Sequence, residues 1–117
     1  MKISAEVLRE LISLGIDDIR TFAEDCSREN GTIYLYKKKM MGVYVVNIGL
    51  ILEPIYLEVM RISNDLIRVG ERNDDLVYYG GFSITTRSFV IPAIYTNREF
   101  WDEYKKYSSI SQKNRHV

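Results

Sequence analysis

Residues 32–52 read TIYLYKKKMMGVYVVNIGLIL, and this stretch decides the fold class. A β-branched and aromatic run, Ile33–Tyr36, precedes the lysine-rich segment Lys37–Met41, and apolar residues resume over Gly42–Leu52. β-Branched and aromatic residues favour strands, so the pattern predicts a β-hairpin whose tip carries the lysines. The second apolar run is too short to cross a membrane, which takes about 20 residues. We therefore expect it to be a buried strand, and we expect no membrane partner.

The segment before this hairpin is predicted to be helical. Ser4 suits the N-cap of a helix, and the apolar residues that follow it recur on one helical face. Gly15 interrupts this pattern without changing its phase. The sequence therefore predicts either one kinked helix over Ser4–Glu29 or two helices joined at Leu14–Asp17.

Residues 54–70 fit two different structures. The apolar residues of Ile55–Val69 have the spacing of a helix face, whereas Ser63–Asp65 has the composition of a turn and β-branched residues are frequent. We favour two strands, about 55–62 and 66–71, and the helix is the alternative.

Two more strands are predicted over Leu76–Tyr79 and Phe82–Ile94, and a pair of glycines separates them. Pro92 cannot donate to a strand ladder, so we expect the second of these strands at a sheet edge.

Thr96 and Glu99 have the spacing of a capping box, which predicts a helix from there to about Ser108. Residues 109–117 are polar and basic and are predicted to be a tail. Together the elements predict a single α+β domain over residues 1–108. It contains an N-terminal helix or helix pair, a mostly antiparallel β-meander and a C-terminal helix packed on the sheet, with the helices covering one face.

Reactive side chains are scarce in this chain. Its one histidine is His116, in the predicted tail, and its one cysteine, Cys26, lies on the predicted apolar helical face. Nucleophilic catalysis normally needs a base held beside the nucleophile, and zinc needs four ligands. The carboxylates of Glu71, Asp74 and Asp75 are interpreted as a solvated turn. We therefore expect no enzymatic activity, no cofactor and no metal site. A single cysteine with no signal-peptide pattern predicts a reducing cytoplasm.

The net charge is zero but unevenly distributed. Residues 1–30 and 51–75 each carry −3, and residues 31–50 and 76–117 each carry +3. Opposed charge blocks favour specific electrostatic complementarity over bulk binding to polyanions. We therefore predict a non-catalytic protein–protein interaction module: a small modulator, inhibitor or assembly subunit. The low glutamine content with many charged residues suggests a thermophile or viral origin.

Lysines with flexible methionines, and aromatic residues on the last helix, are typical of contact surfaces. A homodimer is a further option for the partner. The residues predicted to bind the partner are Lys37, Lys38, Lys39, Met40, Met41, Trp101, Tyr104 and Arg115.

Nucleic acid is the alternative partner. Residues 11–19 read LISLGIDDI, which resembles the turn of a helix-turn-helix, and the following lysine-tipped hairpin resembles the wing of a winged-helix protein. The resemblance covers about 40 residues and implies a regulator that uses Lys37–Lys39 and the basic tail. The second helix would carry mostly acidic residues, and these would repel the phosphates of a DNA groove.

Overall fold

The computed structural model describes residues 4–20, 31–46 and 48–114, which form two helices and eight strands in two antiparallel sheets. The predicted α+β class is confirmed, with an N-terminal helix, antiparallel strands and a C-terminal helix packed on a sheet. Neither helix in this part of the chain has the length and apolar character needed to cross a bilayer.

Helix α1 (Ala5–Ser13) begins as predicted, because the Ser4 hydroxyl accepts a hydrogen bond from the Val7 N–H at 3.2 Å. It ends at Ser13, just before the predicted junction at Leu14–Asp17, so the alternative of one kinked helix over Ser4–Glu29 is wrong. Gly15 has a φ of +73°, the left-handed conformation that commonly follows a helix C-terminus. Gly15 therefore follows the end of the helix rather than forming a kink within it.

The predicted helix beyond Asp17 is wrong at residues 18–20, which form strand β1 (Asp18–Arg20). This strand pairs with Tyr34–Tyr36, placing Ile19 opposite Leu35. Ile19 still packs against the cluster that contains Leu11. Its side chain is therefore in the apolar core as expected, but it belongs to a strand and not to a helix. The remaining part of the predicted helix, including Cys26, lies outside the described residues.

The first sheet has the order β1-β2-β3-β4, where β2 is Thr32–Lys37, β3 is Met40–Val45 and β4 is Gly49–Tyr56. The lysine-tipped hairpin is confirmed as β2 and β3. The prediction of one continuous strand over Gly42–Leu52 is wrong, because the chain turns after Val45 and returns as β4.

The second sheet has the order β5-β6-β7-β8. Its strands are β5 (Glu58–Arg61), β6 (Leu66–Asn73), β7 (Leu76–Ser83) and β8 (Ser88–Tyr95). Residues 54–70 are therefore strands rather than a helix, with the predicted turn at residues 63–65. The prediction of a single strand over about 55–62 is wrong, because β4 ends at Tyr56 and β5 begins at Glu58 in the other sheet.

Two other details of the second sheet concern β7 and β8. Gly80 and Gly81 do not separate two strands; they lie inside β7, where a Cβ on Gly80 would meet the Ala93 backbone at 2.7 Å. Pro92 lies in β8 at the edge of the sheet, as predicted.

The two sheets pack face to face. Their shared core contains Val43, Val45 and Leu52 from the first sheet and Ile67 and Val69 from the second. Each helix covers the outer face of a different sheet: α1 packs on the first, and α2 (Asn97–Asn114) packs on the second. The prediction that both helices cover one face is therefore wrong, because the meander divides into two sheets.

Arg61 links the two sheets through hydrogen bonds. Its side chain is buried, with an overall exposure of 4% for the residue, and its guanidinium donates to the Thr32 hydroxyl at 2.9 Å. Its backbone N–H donates to the Tyr34 hydroxyl, also at 2.9 Å. The same guanidinium donates to the carbonyl groups of Ser63 and Asn64. Because a buried cation needs several hydrogen-bond acceptors, these contacts hold the turn after β5 in place.

Helix α2 starts at the predicted capping box. The Thr96 N–H donates to Glu99 Oε1 at 2.9 Å, and the Glu99 N–H donates to the Thr96 hydroxyl at 3.3 Å. The helix continues to Asn114, so six residues assigned to the tail, 109–114, are helical. Phe100 is fully buried and anchors the helix on the second sheet.

Candidate functional site

The most unusual backbone among the predicted contact residues is at the turn between β2 and β3. Lys38 and Lys39 have φ values of +50° and +68°, so both adopt the positive φ of the central residues of a type I′ turn. Such turns are usually built from asparagine and glycine, because a left-handed conformation costs other residues about 1–2 kcal/mol. The turn therefore keeps two lysines at positions where other residues would be more stable.

Residues 37–41, which we call the lysine tip, are fastened to the loop after α1. The Lys38 N–H donates to Asp17 Oδ2 at 2.7 Å, and the Asp17 N–H donates to the Tyr36 carbonyl at 2.8 Å. The ammonium of Lys37 donates to the Leu14 carbonyl at 3.2 Å. The side chains of Lys38 and Lys39 remain exposed. Their backbone is thus fixed while their charges face solvent.

An open groove of about 440 Å³ lies beside the tip, and we call it the tip groove. Its walls are mainly apolar, and three charged residues lie among them. The residues that line it are Leu14, Lys37, Lys38, Met40, Leu50, Glu53, Pro54 and Ile55. Ile55 is 59% exposed and adds apolar surface to this wall.

The two methionines of the tip have different surroundings. Met40 lines the tip groove, whereas Met41 packs against the core shared by the two sheets. Both are half-buried. Met40 is thus available to a partner in the groove, and Met41 contributes mainly to folding.

The structure does not join the tip to the other predicted contact residues. Trp101 and Tyr104 are half-buried on α2, which covers the outer face of the second sheet, whereas the tip belongs to the first sheet. Both rings pack on Phe100, with centroid distances of 5.3 and 6.4 Å. Arg115 lies outside the described residues, as does His116.

Sequence reasoning missed a polar cluster centred on Arg68. The side chain of Arg68 is only 9% exposed and donates to Glu58 Oε1 at 2.7 Å and to Asn97 Oδ1 at 2.5 Å. Its guanidinium lies 4.9 Å from the Tyr79 ring centroid and 5.7 Å from that of Trp101. These are cation–π distances. Trp101 therefore has an internal role in attaching α2 to the second sheet.

The Tyr79 hydroxyl completes this cluster by donating to Glu58 Oε2 at 3.1 Å. Burial, together with the nearby Glu58 carboxylate, raises the pKa of Tyr79 above its usual value. The phenol therefore stays neutral at physiological pH and acts as a hydrogen-bond donor, and its deprotonated form is disfavoured as a base.

No group of three or more His, Cys, Asp or Glu side chains in the described ranges is arranged to hold a metal ion. Asp74, one of the three carboxylates interpreted as a solvated turn, lies in the turn between β6 and β7 with a φ of +57°.

Comparison with protein-family models, with curated proteins and with solved structures finds no match for this chain.

Proposed function

We propose that this protein is a non-catalytic interaction module that binds a partner protein at the lysine tip and the tip groove. The observation that carries the proposal is the Lys38–Lys39 turn, a strained backbone that is fastened to Asp17 and placed beside an apolar groove. Strain of this kind persists where the surrounding structure enforces it, and it is concentrated at functional sites.

The chemistry of the surface favours a segment that combines apolar and acidic side chains. Met40, Pro54 and Ile55 offer apolar contact area, the exposed Lys38 lies at the rim, and the exposed Lys39 follows it in the same turn. An apolar side chain in the groove would be desolvated, and a neighbouring carboxylate would pair with a lysine. Rim charges of this type mainly affect association rate and specificity.

The test is affinity capture followed by mass spectrometry with Lys39→Glu and a matched control, Lys105→Glu. Both lysines are exposed, and Lys105 lies on α2, away from the tip. We expect the control to recover the same partner as the unmodified protein and Lys39→Glu to recover much less of it. Equal recovery by the two variants would contradict the proposal.

A nucleic acid is the second candidate partner, because exposed lysines at a hairpin tip also bind phosphates. The strand at residues 18–20 stands where the winged-helix resemblance placed a recognition helix, so binding would depend on the tip. Fluorescence anisotropy with duplex and single-stranded DNA distinguishes the two candidates. Binding that weakens steeply with salt and with Lys39→Glu would favour nucleic acid.

A second copy of the chain is the third option. The edge strands of the two described sheets are β1, β4, β5 and β8, and two of them contain a proline: Pro54 lies in β4 and Pro92 lies in β8. Prolines hinder edge-to-edge pairing, so self-association through β4 or β8 is disfavoured, and the short strands β1 and β5 are the edges left for a second copy.

We also propose that the protein works in a reducing cytoplasm as a modulator or inhibitor. Its composition fits a thermophile or viral origin.

A further inference from the structure

A second groove, of about 510 Å³, lies between α2 and two turns of the second sheet. We call it the hydroxyl groove, because seven of the residues that line it carry a hydroxyl group and only one, Asp65, carries a charge. The turns are those after β5 and after β7, and the helix contributes Tyr104, Tyr107 and Ser108. Its chemistry therefore differs from that of the apolar tip groove.

The floor of the hydroxyl groove is rigidly held by Asp65. The carboxylate accepts hydrogen bonds from the Ser83 hydroxyl and the Thr85 N–H, each at 2.7 Å, and the Asp65 carbonyl accepts from the Ile84 N–H at 2.7 Å. Burial alone would raise the pKa of Asp65, but these hydrogen bonds and the nearby Arg61 lower it below its usual value. The carboxylate is therefore ionised and has a fixed orientation at neutral pH.

The helix side of the groove offers groups that the fold does not use. The hydroxyls of Tyr104, Tyr107 and Ser108 make no hydrogen bond to any other residue in the described ranges, although all three side chains are half-buried. The Tyr104 ring is stacked on Phe100, with the two planes 6° apart, so its position is fixed. Unused donors on fixed aromatic rings are available to a ligand at a small entropic cost.

We propose that the hydroxyl groove binds a saccharide. A neutral polyhydroxylated ligand matches a lining with many hydroxyls and one carboxylate, and the faces and edges of tyrosine rings suit the C–H surface of a sugar. A phosphorylated or carboxylated ligand fits poorly, because no lysine or arginine lines the groove and its one charged residue is an anion. The volume lies within the usual range for small-molecule sites, roughly 300–1,000 Å³.

The proposal is tested by NMR titration of the full chain with glucose, N-acetylglucosamine and maltose, with inorganic phosphate in parallel. We expect at least one saccharide to shift the amide signals of Thr85, Tyr107 and Ser108, with an affinity of about millimolar for so open a site. Tyr107→Phe removes one unused hydroxyl and should weaken binding about five- to tenfold.

Two further variants make the result specific. Ser108→Ala removes another unused hydroxyl at a helical position that tolerates alanine, and it should also weaken binding. Tyr78→Phe is the matched control, because Tyr78 lies in β7 about 17 Å along the strand from Ser83. It should bind like the unmodified protein.

Three results would overturn the proposal. The first is the absence of saccharide-induced shifts at these residues. The second is Tyr107→Phe and Ser108→Ala variants that both remain folded and bind with unchanged affinity. The third is phosphate shifting the groove signals when the saccharides do not. The hydroxyl groove shares no lining residue with the tip groove. A failure of the saccharide proposal would therefore leave the protein-binding proposal standing, and a failure of the protein-binding proposal would leave the saccharide proposal standing.

Discussion

The two partners of the Arg68–Glu58 ion pair should not be equally costly to remove. We expect the loss of Glu58 to lower the free energy of unfolding more than the loss of Arg68 does. Glu58 is 42% exposed at its side chain, whereas Arg68 is 9% exposed. Glu58→Gln removes the counter-charge and leaves a buried guanidinium uncompensated. Arg68→Met removes the buried charge itself and leaves only groups that can reach water, because Asn97 is exposed and Glu58 is half-exposed.

The magnitude follows from the two hydrogen bonds that Glu58 accepts, from Arg68 and from Tyr79. A bond to a charged group contributes about 1.5–3 kcal/mol and a neutral one about 1 kcal/mol. After a discount for the exposure of Glu58, Glu58→Gln should lower the free energy of unfolding by about 1–2 kcal/mol. Arg68→Met should cost less than about 1 kcal/mol, because the methionine packs against the Tyr79 and Trp101 rings.

Urea unfolding followed by the fluorescence of Trp101, the only tryptophan, measures these differences at the site itself. With a slope of about 1–3 kcal/mol/M, Glu58→Gln should lower the midpoint by about 0.3–2 M. The double variant should resemble Arg68→Met alone, since the pair acts as one unit.

The reasoning would be refuted if Arg68→Met destabilised the protein more than Glu58→Gln. It would also be refuted if the two effects simply added in the double variant.

Three other predictions concern backbone strain, close packing and pH. Replacing Lys38 by Asn and Lys39 by Gly together should raise the free energy of unfolding by about 1 kcal/mol in thermal denaturation, because both positions have positive φ; an unchanged melting temperature would contradict this. Gly80→Ala should cost more than about 2 kcal/mol in the same assay, because the added Cβ meets the Ala93 backbone; a near-normal melting temperature would show that the strands separate easily. The pKa of Asp65 is lowered in the folded state, so the stabilisation from its carboxylate is present above the unfolded pKa of about 3.9 and is lost as the pH falls through the folded pKa. In urea unfolding at a series of pH values, Asp65→Asn should reduce this acid-induced loss of stability, and an unchanged pH dependence would contradict the prediction.

Features that depend on neighbouring residues could be predicted from the sequence. The Ser4 cap and the Thr96–Glu99 capping box each join residues three positions apart, and both appear as expected. The lysine-tipped hairpin follows from two apolar runs with a polar break. The turn at residues 63–65 follows from its composition, with the Ser63 hydroxyl accepting from the Leu66 N–H at 3.0 Å.

The errors occur where distant pairing decides the structure. Ile19 has helical spacing from Leu11, yet its strand pairs with Leu35, and no local signal indicates that pairing. Gly80 resembles a strand break, but its missing Cβ admits Ala93 from the neighbouring strand. In both cases the long-range contact outweighs the local preference.

The sites themselves depend even more on long-range contacts. Arg68 meets Glu58 ten residues away and Asn97 twenty-nine residues away, so their spacing carries no recognisable motif. The tip lysines could be identified from their clustering, whereas the groove beside them requires β4 to return next to the hairpin.

The passage of the chain between its two sheets has a consequence for how the protein can be divided. Only Leu57 separates β4 from β5, and these two strands contribute to opposite walls of one apolar core. A cut at this point would give two fragments, each with four of the described strands, and each would expose the apolar face that the other normally covers. Such fragments should be unstable alone and should recover their fold on mixing, with Arg61 re-forming its hydrogen bonds to Thr32 and Tyr34. The two sheets are therefore one cooperative folding unit, and the short crossing at Leu57 is the natural point at which to split it for complementation.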